Sequence, residues 1–329
     1  MKIRYAIRIF IMLQILVVSV SFAGVNLWTS NGPEGGFLGI SIDPVDPIVM
    51  YANANYGGLY RSSDGGATWA LTENGTQLLE NSLVSRRIMR VIINPVKTNN
   101  IYVQTNDSVF KSSDSGASWV RVPIPITLIS NLAINPVNPS ILYATGQNGF
   151  FKSTDSGASW TNLNSQQFST VRTILVDSNS QNIIYLASNT GFHISNDGGF
   201  NWTAANSGMT STNITKLIID PTNSLVMYVV SAGVFKTTDG GQNWVEKNAG
   251  FGTSTSIQNL IIDPMNPTIL YAGTSSDGVY KSTTGGESWE NIYLSSSIRD
   301  LAINPLNSAI VYLSTPLHGI EKSDDSGNT

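Results

Sequence analysis

The sequence predicts an all-β protein, a seven-bladed β-propeller built from four-stranded antiparallel blades with Asp-containing turns. Three observations carry this. The phrase Lys152–Trp160, Lys-Ser-Thr-Asp-Ser-Gly-Ala-Ser-Trp, recurs as Arg61–Trp69, Lys111–Trp119, Ile194–Trp202, Lys236–Trp244 and Lys281–Trp289, and again in part at Lys322–Thr329. A second phrase alternates with it: an apolar run, Asp or Asn, usually Pro, then a short run ending in Tyr. Its seven copies, from Ile42-Asp43-Pro44 with Tyr51 to Ile303-Asn304-Pro305 with Tyr312, recur at a period of about 42 residues, the signature of a propeller or solenoid. Outside the N-terminus no stretch sustains a helical period.

Each repeat resolves into four strands. In the third, Ser130–Ile134, Ile141–Thr145, Gly149–Ser153 and Ser159–Leu163 are expected to pair in order. Asn135-Pro136-Val137-Asn138-Pro139 turns the first pair, because proline cannot stay in a ladder. The Asp phrase turns the third and fourth. Asp64, Asp114, Asp155, Asp197, Asp239 and Asp325 each stand two residues before a glycine, where a carboxylate can accept turn amides. That makes them structural residues, with calcium ligation in the turn as the alternative. Thr284 replaces the Asp in the sixth copy and predicts a looser turn there.

Closure of the ring is also readable. The last repeat lacks its fourth strand, and an orphan strand, Val25–Ser30, precedes the first. Trp28-Thr29 matches Trp160-Thr161, so this strand is expected to complete the seventh blade. A fragment with further blades beyond Thr329 is the competing expectation.

The chain has 329 residues, a formal charge of −4, no cysteine and two histidines. This balance argues against nucleic acid, and the absence of cysteine excludes a disulfide framework. No cofactor or metal is expected. Lys2, Arg4 and Arg8 followed by the apolar run Ile9–Phe22 and the small residues Ser21 and Ala23 read as a signal peptide, residues 1–23. Its loss would take the charge from −4 to −7 and leave residues 24–329 as a single propeller, secreted or periplasmic, with no membrane span. An uncleaved anchor is the alternative.

Candidate ligand-binding residues come from the repeat register. The fourth residue before each Asp/Asn of the second phrase is Gly39, Arg90, Asn131, Thr173, Lys216, Asn259 and Asp300, a mostly polar ring at the starts of the channel-lining strands. The loops between second and third strands open on the same face, away from the Asp turns. They add Asn55, Tyr56 and His318. A row of solvated loop tips would look the same. His193 holds the slot of Tyr60, Phe110, Phe151, Phe235 and Tyr280, and reads as a packing residue.

The recurring Ser-x-Asp-x-Gly-x-Ser/Thr-Trp resembles the Asp-box, or BNR repeat, of β-propellers. Four types within that superfamily share it. Sialidases add an Arg-Ile-Pro motif, three substrate arginines and a Tyr/Glu pair, and this chain has no Arg-Ile-Pro. Xyloglucan-type endoglucanases resemble Gly35-Gly36-Phe37, Gly39-Ile40, Tyr51-Ala52, Gly57-Gly58 and Tyr60-Arg61. The resemblance puts their catalytic Asp on Asn55, whose amide cannot act as a general base, and implies a second propeller for the other carboxylate. The phrasing looks most like photosystem II assembly factor-like propellers, which are non-catalytic and bind a partner protein. Sortilin-type propellers have ten blades against the seven counted here. Together these imply a secreted, non-catalytic propeller that binds a protein or carbohydrate partner on the face opposite the Asp turns. A glycoside hydrolase is the alternative.

Overall fold

The computed structural model describes residues 28–30, 32, 36–55, 58–72, 87–147, 149–163, 168, 170–252, 256–295 and 297–328. Seven four-stranded antiparallel sheets follow one another round a ring. Blade 1 is Phe37–Ile42, Met50–Ala54, Leu59–Ser62 and Ala70–Leu71. Blade 2 runs from Ile88–Ile93 to Val120–Val122 and blade 3 from Ile129–Ile134 to Thr161–Asn162. Blade 4 runs from Val171–Val176 to Thr203–Ala204 and blade 5 from Lys216–Asp220 to Val245–Glu246. Blade 6 runs from Ile257–Ile262 to Glu290–Tyr293. Blade 7 takes Asp300–Ile303, Val311–Thr315 and Gly319–Ser323 from the end of the sequence and Thr29–Ser30 from its start.

The closing strand pairs Thr29 with Lys322 and Ser30 with Glu321, so the described part of the orphan strand does complete the seventh blade. Trp28 places its aromatic ring on the seventh Asp turn. A Cβ built on Gly327 would lie 3.5 Å from Trp28 Cζ2, as one on Gly116 would lie 3.4 Å from Trp119 Cζ2. The ring of Trp28 also packs on Tyr293 of blade 6 at 5.2 Å.

The core lies between blades rather than within one. Apolar clusters fill every seam; the one between blades 7 and 1, for example, holds Phe37, Ile40, Met50, Ala52, Tyr312 and Ile320. The aliphatic positions Ile40, Val91, Leu132, Ile174, Leu217, Leu260 and Leu301 are all buried, as close packing of neighbouring sheets requires. His193 is buried opposite Leu186 and meets Phe168 edge-on at 5.0 Å, in register with the aromatic residues of other blades.

The Asp turn bonds to itself as the sequence suggests. In blade 3, Ser153 Oγ accepts the Gly157 amide at 2.8 Å and donates to Asp155 Oδ1 at 2.8 Å. Asp155 also accepts the Ser159 amide at 2.8 Å and its hydroxyl at 2.5 Å. Bonding from Ser159 first, then from Ser153, holds the Asp155 carboxyl down at about 2. Gly157 takes φ +90°, a left-handed conformation that disfavours a side chain. In blade 6 the Thr284 hydroxyl does this work at longer range, 3.1 Å from the Ser288 amide.

A feature the sequence did not disclose links each turn to its neighbour. Tyr51, Tyr102, Tyr228, Tyr271 and Tyr312 each donate their hydroxyl to an Asp-turn carbonyl of the next blade, at 3.2, 3.1, 3.0, 3.0 and 3.0 Å. The last of these runs from blade 7 to Gly65 of blade 1 and fastens the ring. Lys111, Lys236 and Lys281 reach the same carbonyls at 3.3, 2.9 and 3.0 Å. Their ammonium groups lie 5.4–5.6 Å from the tyrosine rings. At the seam between blades 3 and 4 the Tyr143 hydroxyl is buried without a partner.

Candidate functional site

The first strands surround an axial cavity of about 750 Å³. Its opening on the face away from the Asp turns is set by the strand starts. Gly39, Arg90, Thr173, Lys216, Asn259 and Asp300 of the polar ring line it, and Asn131 does not. Five first strands carry a register irregularity at this point, between Phe37 and Gly39, Ile88 and Arg90, Ile129 and Asn131, Val171 and Thr173, and Ile257 and Asn259. A bulge sets two residues against one partner and re-aims the side chains. On four of these bulged strands the residue before the ring position, Leu38, Met89, Arg172 or Gln258, reaches the lumen too, and Thr215 and Arg299 join the lining from the two strands without a bulge at this point. Strict alternation along a strand hides these residues. The signal that could have found Arg172 and Arg299 is their placement one residue before the ring in the repeat register.

The resulting mouth is cationic. Arg90, Arg172, Lys216 and Arg299 face it, with Asp300 as the carboxylate at the same level. Asp300 is held in place by the Ile40 amide, which donates to Oδ2 at 2.9 Å across the closing seam, and by the side-chain amide of Asn259. Burial raises the Asp300 carboxyl, against the pull of Lys216. Burial likewise lowers Lys216 and Arg90, and Asp300 partly restores both. Gly39 leaves the space Asp300 needs, since a Cβ there would meet Asn53 Oδ1 at 2.7 Å and Asp300 Oδ2 at 3.2 Å.

Other candidates sit elsewhere. Asn131 is fully buried and donates to the Arg172 carbonyl at 2.6 Å, a bond between blades 3 and 4. Asn259 uses both polar atoms internally, accepting the Leu260 amide at 2.8 Å and donating to Asp300. Asn55 and His318 are outside the described cavity lining. The Asn55 amide donates to the Gly36 carbonyl at 2.9 Å. His318 is exposed, with Nδ1 3.7 Å from Glu321 Oε1. Tyr56 lies outside the described residues.

The far end of the axis is different in kind. Pro44, Pro264 and Pro305 rim an apolar hollow of about 300 Å³ floored by Ile42, Ile262 and Ile303. The Asp220 carboxylate lies at this end, at the turn of blade 5. Along a first strand it is four residues from the level of Lys216 and Asp300, or about 13 Å at the rise of a β-strand. Glycosidase carboxyl pairs stand about 5–9.5 Å apart, so Asp220 and Asp300 do not form one.

Fold and site together define a seven-bladed propeller with self-bonded Asp turns on one face and a cationic axial mouth on the other. The chain belongs to the sortilin/Vps10 family, described as sortilin, neurotensin receptor 3, whose model matches residues 57–191 and 190–297. Part of it is 34% identical over 104 residues to the xyloglucanase Xgh74A of Acetivibrio thermocellus, covering 26% of this chain and 12% of that protein. The GH74 xyloglucanase of Xanthomonas campestris superposes with a TM-score of 0.75 at 18% identity, covering 92% of this chain and 54% of that one. YCF48 bound to D1 peptide gives 0.65 at 17% identity, covering 89% and 94%. The extracellular domain of BT4673 from B. thetaiotaomicron gives 0.68 at 15%, covering 88% and 38%. The chain thus spans about half of the xyloglucanase structure and a small fraction of Xgh74A. The structural likenesses, all at low identity, carry the fold alone.

Proposed function

We propose that this chain is a non-catalytic, extracytoplasmic binding propeller whose cationic mouth receives an anionic group of a protein or glycan partner. The observation that carries the reading is the charge imbalance at the mouth. Four cationic side chains converge there around one carboxylate, in a chain whose overall charge is −4. Asp300 is already engaged by an amide and a side chain, so it cannot neutralise four cations, and an anion entering a recessed, partly desolvated mouth meets weakly screened charge. The same fold occurs in YCF48 bound to D1 peptide and in the extracellular domain of BT4673, precedents for a peptide partner and an extracytoplasmic location.

The hydrolase reading draws on the similarity to xyloglucanases. Against it stand Asn55 at the position where the resemblance expects a carboxylate, and the wide separation of the two carboxylates at the cavity. The test is a screen of peptides and polysaccharides, xyloglucan included, with binding and release of reducing ends followed in the same wells. Binding without turnover supports the proposal. Hydrolysis abolished by a substitution at the mouth overturns it.

A further inference from the structure

Asp300 puts a negative charge into a mouth that otherwise gathers cations, and its bonds fix where that charge sits. The Ile40 amide of blade 1 donates to Oδ2 at 2.9 Å, and the Asn259 side-chain amide of blade 6 donates to Oδ1. Asn259 is itself held, because its own side-chain oxygen accepts the Leu260 amide at 2.8 Å. Two donors thus converge on two oxygens. A carboxylate satisfies both, whereas an Asn side chain in this place would set its NH2 group against one of them. Pinned between blades 1 and 6, the carboxylate does not cross the lumen to meet the cations. Among the described residues none of Arg90, Arg172, Lys216 and Arg299 forms an ion pair with it. Arg90 instead donates to the Arg172 carbonyl at 3.4 Å.

A charge held in this way acts on its surroundings through space, on Lys216 and on Arg90. An anion drawn to those cations approaches a like charge that is fixed in place, in a recess where the repulsion is weakly screened. A proton on Asp300 relieves that repulsion. Burial already holds its carboxyl above the ordinary value of about 3.9, and an anion beside it would raise it further. The coupling is reciprocal: a ligand that raises the proton affinity of Asp300 is bound more tightly by the protonated form. The titratable groups facing Asp300 in the mouth are Lys216 and the three arginines, and neither histidine lines the cavity. Asp220 lies about 13 Å away along the strand direction. The Asp-turn carboxylates Asp64, Asp155, Asp197 and Asp239, held at about 2, stay ionised at pH 4.5.

Resting on the reading of the mouth as an anion site, we propose that Asp300 is the specificity-determining residue of that site: a fixed competing charge that makes the mouth take up a proton with the anion it binds. The experiment is calorimetric titration of the parent with sucrose octasulfate, whose own charge is constant between pH 4.5 and pH 7, in pairs of buffers that differ in ionisation heat. The parent should bind at least about fivefold more tightly at pH 4.5 than at pH 7, the scale of one repulsion removed, and take up a fraction of a proton. D300N should bind at least about fivefold more tightly than the parent at pH 7 and lose the pH dependence. N259D/D300N restores the hydrogen bond and returns the charge one blade away, so weak, pH-dependent binding should come back. If D300N does not fold, the proton count of the parent and the double variant decide. Binding by the parent with equal affinity at both pH values and no proton uptake, or D300N no tighter than the parent, would overturn the role of Asp300 and leave the mouth an anion site. Absence of binding by the parent at either pH would overturn both.

Discussion

The two ends of the propeller axis obey different rules. On the Asp-turn side the blades repeat one another: a tyrosine ends the second-strand phrase in all seven copies, and the turn residues are nearly invariant from blade to blade. At the mouth the equivalent position reads Gly39, Arg90, Asn131, Thr173, Lys216, Asn259 and Asp300. Repetition suits seams that are nearly alike, five of which carry the same tyrosine-to-turn bond. Variation at the mouth is free of that demand, and a single asymmetric ligand needs it. The difference teaches that in a repeat protein the departures from the repeat point to the site, while the repeat itself describes the scaffold.

This contrast makes separable predictions. Substitutions on the repeating side should change stability and leave partner binding alone. The largest effect should come from deleting residues 25–30, which removes the closing strand and exposes the edge of blade 7. Trp28→Ala alone should cost about 3–5 kcal/mol, as for other large buried aromatic residues. A melting temperature unmoved by the deletion would show that the ring does not depend on this strand.

Acid comes next. Asp64, Asp155 and Asp239 are held at about 2, chiefly by the side chains of Thr68, Ser159 and Asn243, and Asp197 at about 2, chiefly by the Asn201 amide. In the unfolded chain they return to about 3.9. A folded value below the unfolded one stabilises fully above about pH 4, and that contribution is lost as the pH falls toward 2. Urea midpoints should therefore fall steeply between pH 4 and 2. A flat profile would mean the turns do not bear on stability.

Smaller effects test the links between blades. Tyr102→Phe removes a hydroxyl bonded to Ser156 and should cost about 1 kcal/mol. Tyr143→Phe removes one with no partner and should cost nothing or stabilise slightly. Equal losses at both positions would remove the distinction. Smallest of all, Thr284→Asp should raise the melting temperature by a degree or two, by giving blade 6 the carboxylate the other turns use.

Much of this was legible in the sequence because local chemistry fixes it. Asp155 and Gly157 specify their turn within a few residues, and Trp28 announces its partner by matching the other tryptophans. Alternation and spacing placed the third-blade strands to within a residue or two, except that the fourth shortened to Thr161–Asn162. What stayed hidden depends on neighbours distant in sequence or on a local break in alternation. The tyrosine links join residues about 54–64 positions apart in the first two seams. The bulges that bring Arg172 to the lumen change which side chains face it, and the register of a regular strand gives no warning of them. Asn131 looked like its ring neighbours, yet an inter-blade carbonyl takes its amide and buries it.

The most direct test of the account is calorimetric titration of the parent and the Arg90→Ala/Lys216→Ala double variant with hexaglutamate, at low and at physiological salt. The account predicts binding that weakens with salt, at least about tenfold weaker in the double variant, or about 1.4 kcal/mol, with the melting temperature and the Asp-turn side unaffected. Equal affinity of parent and variant, or no affinity in either, would contradict it.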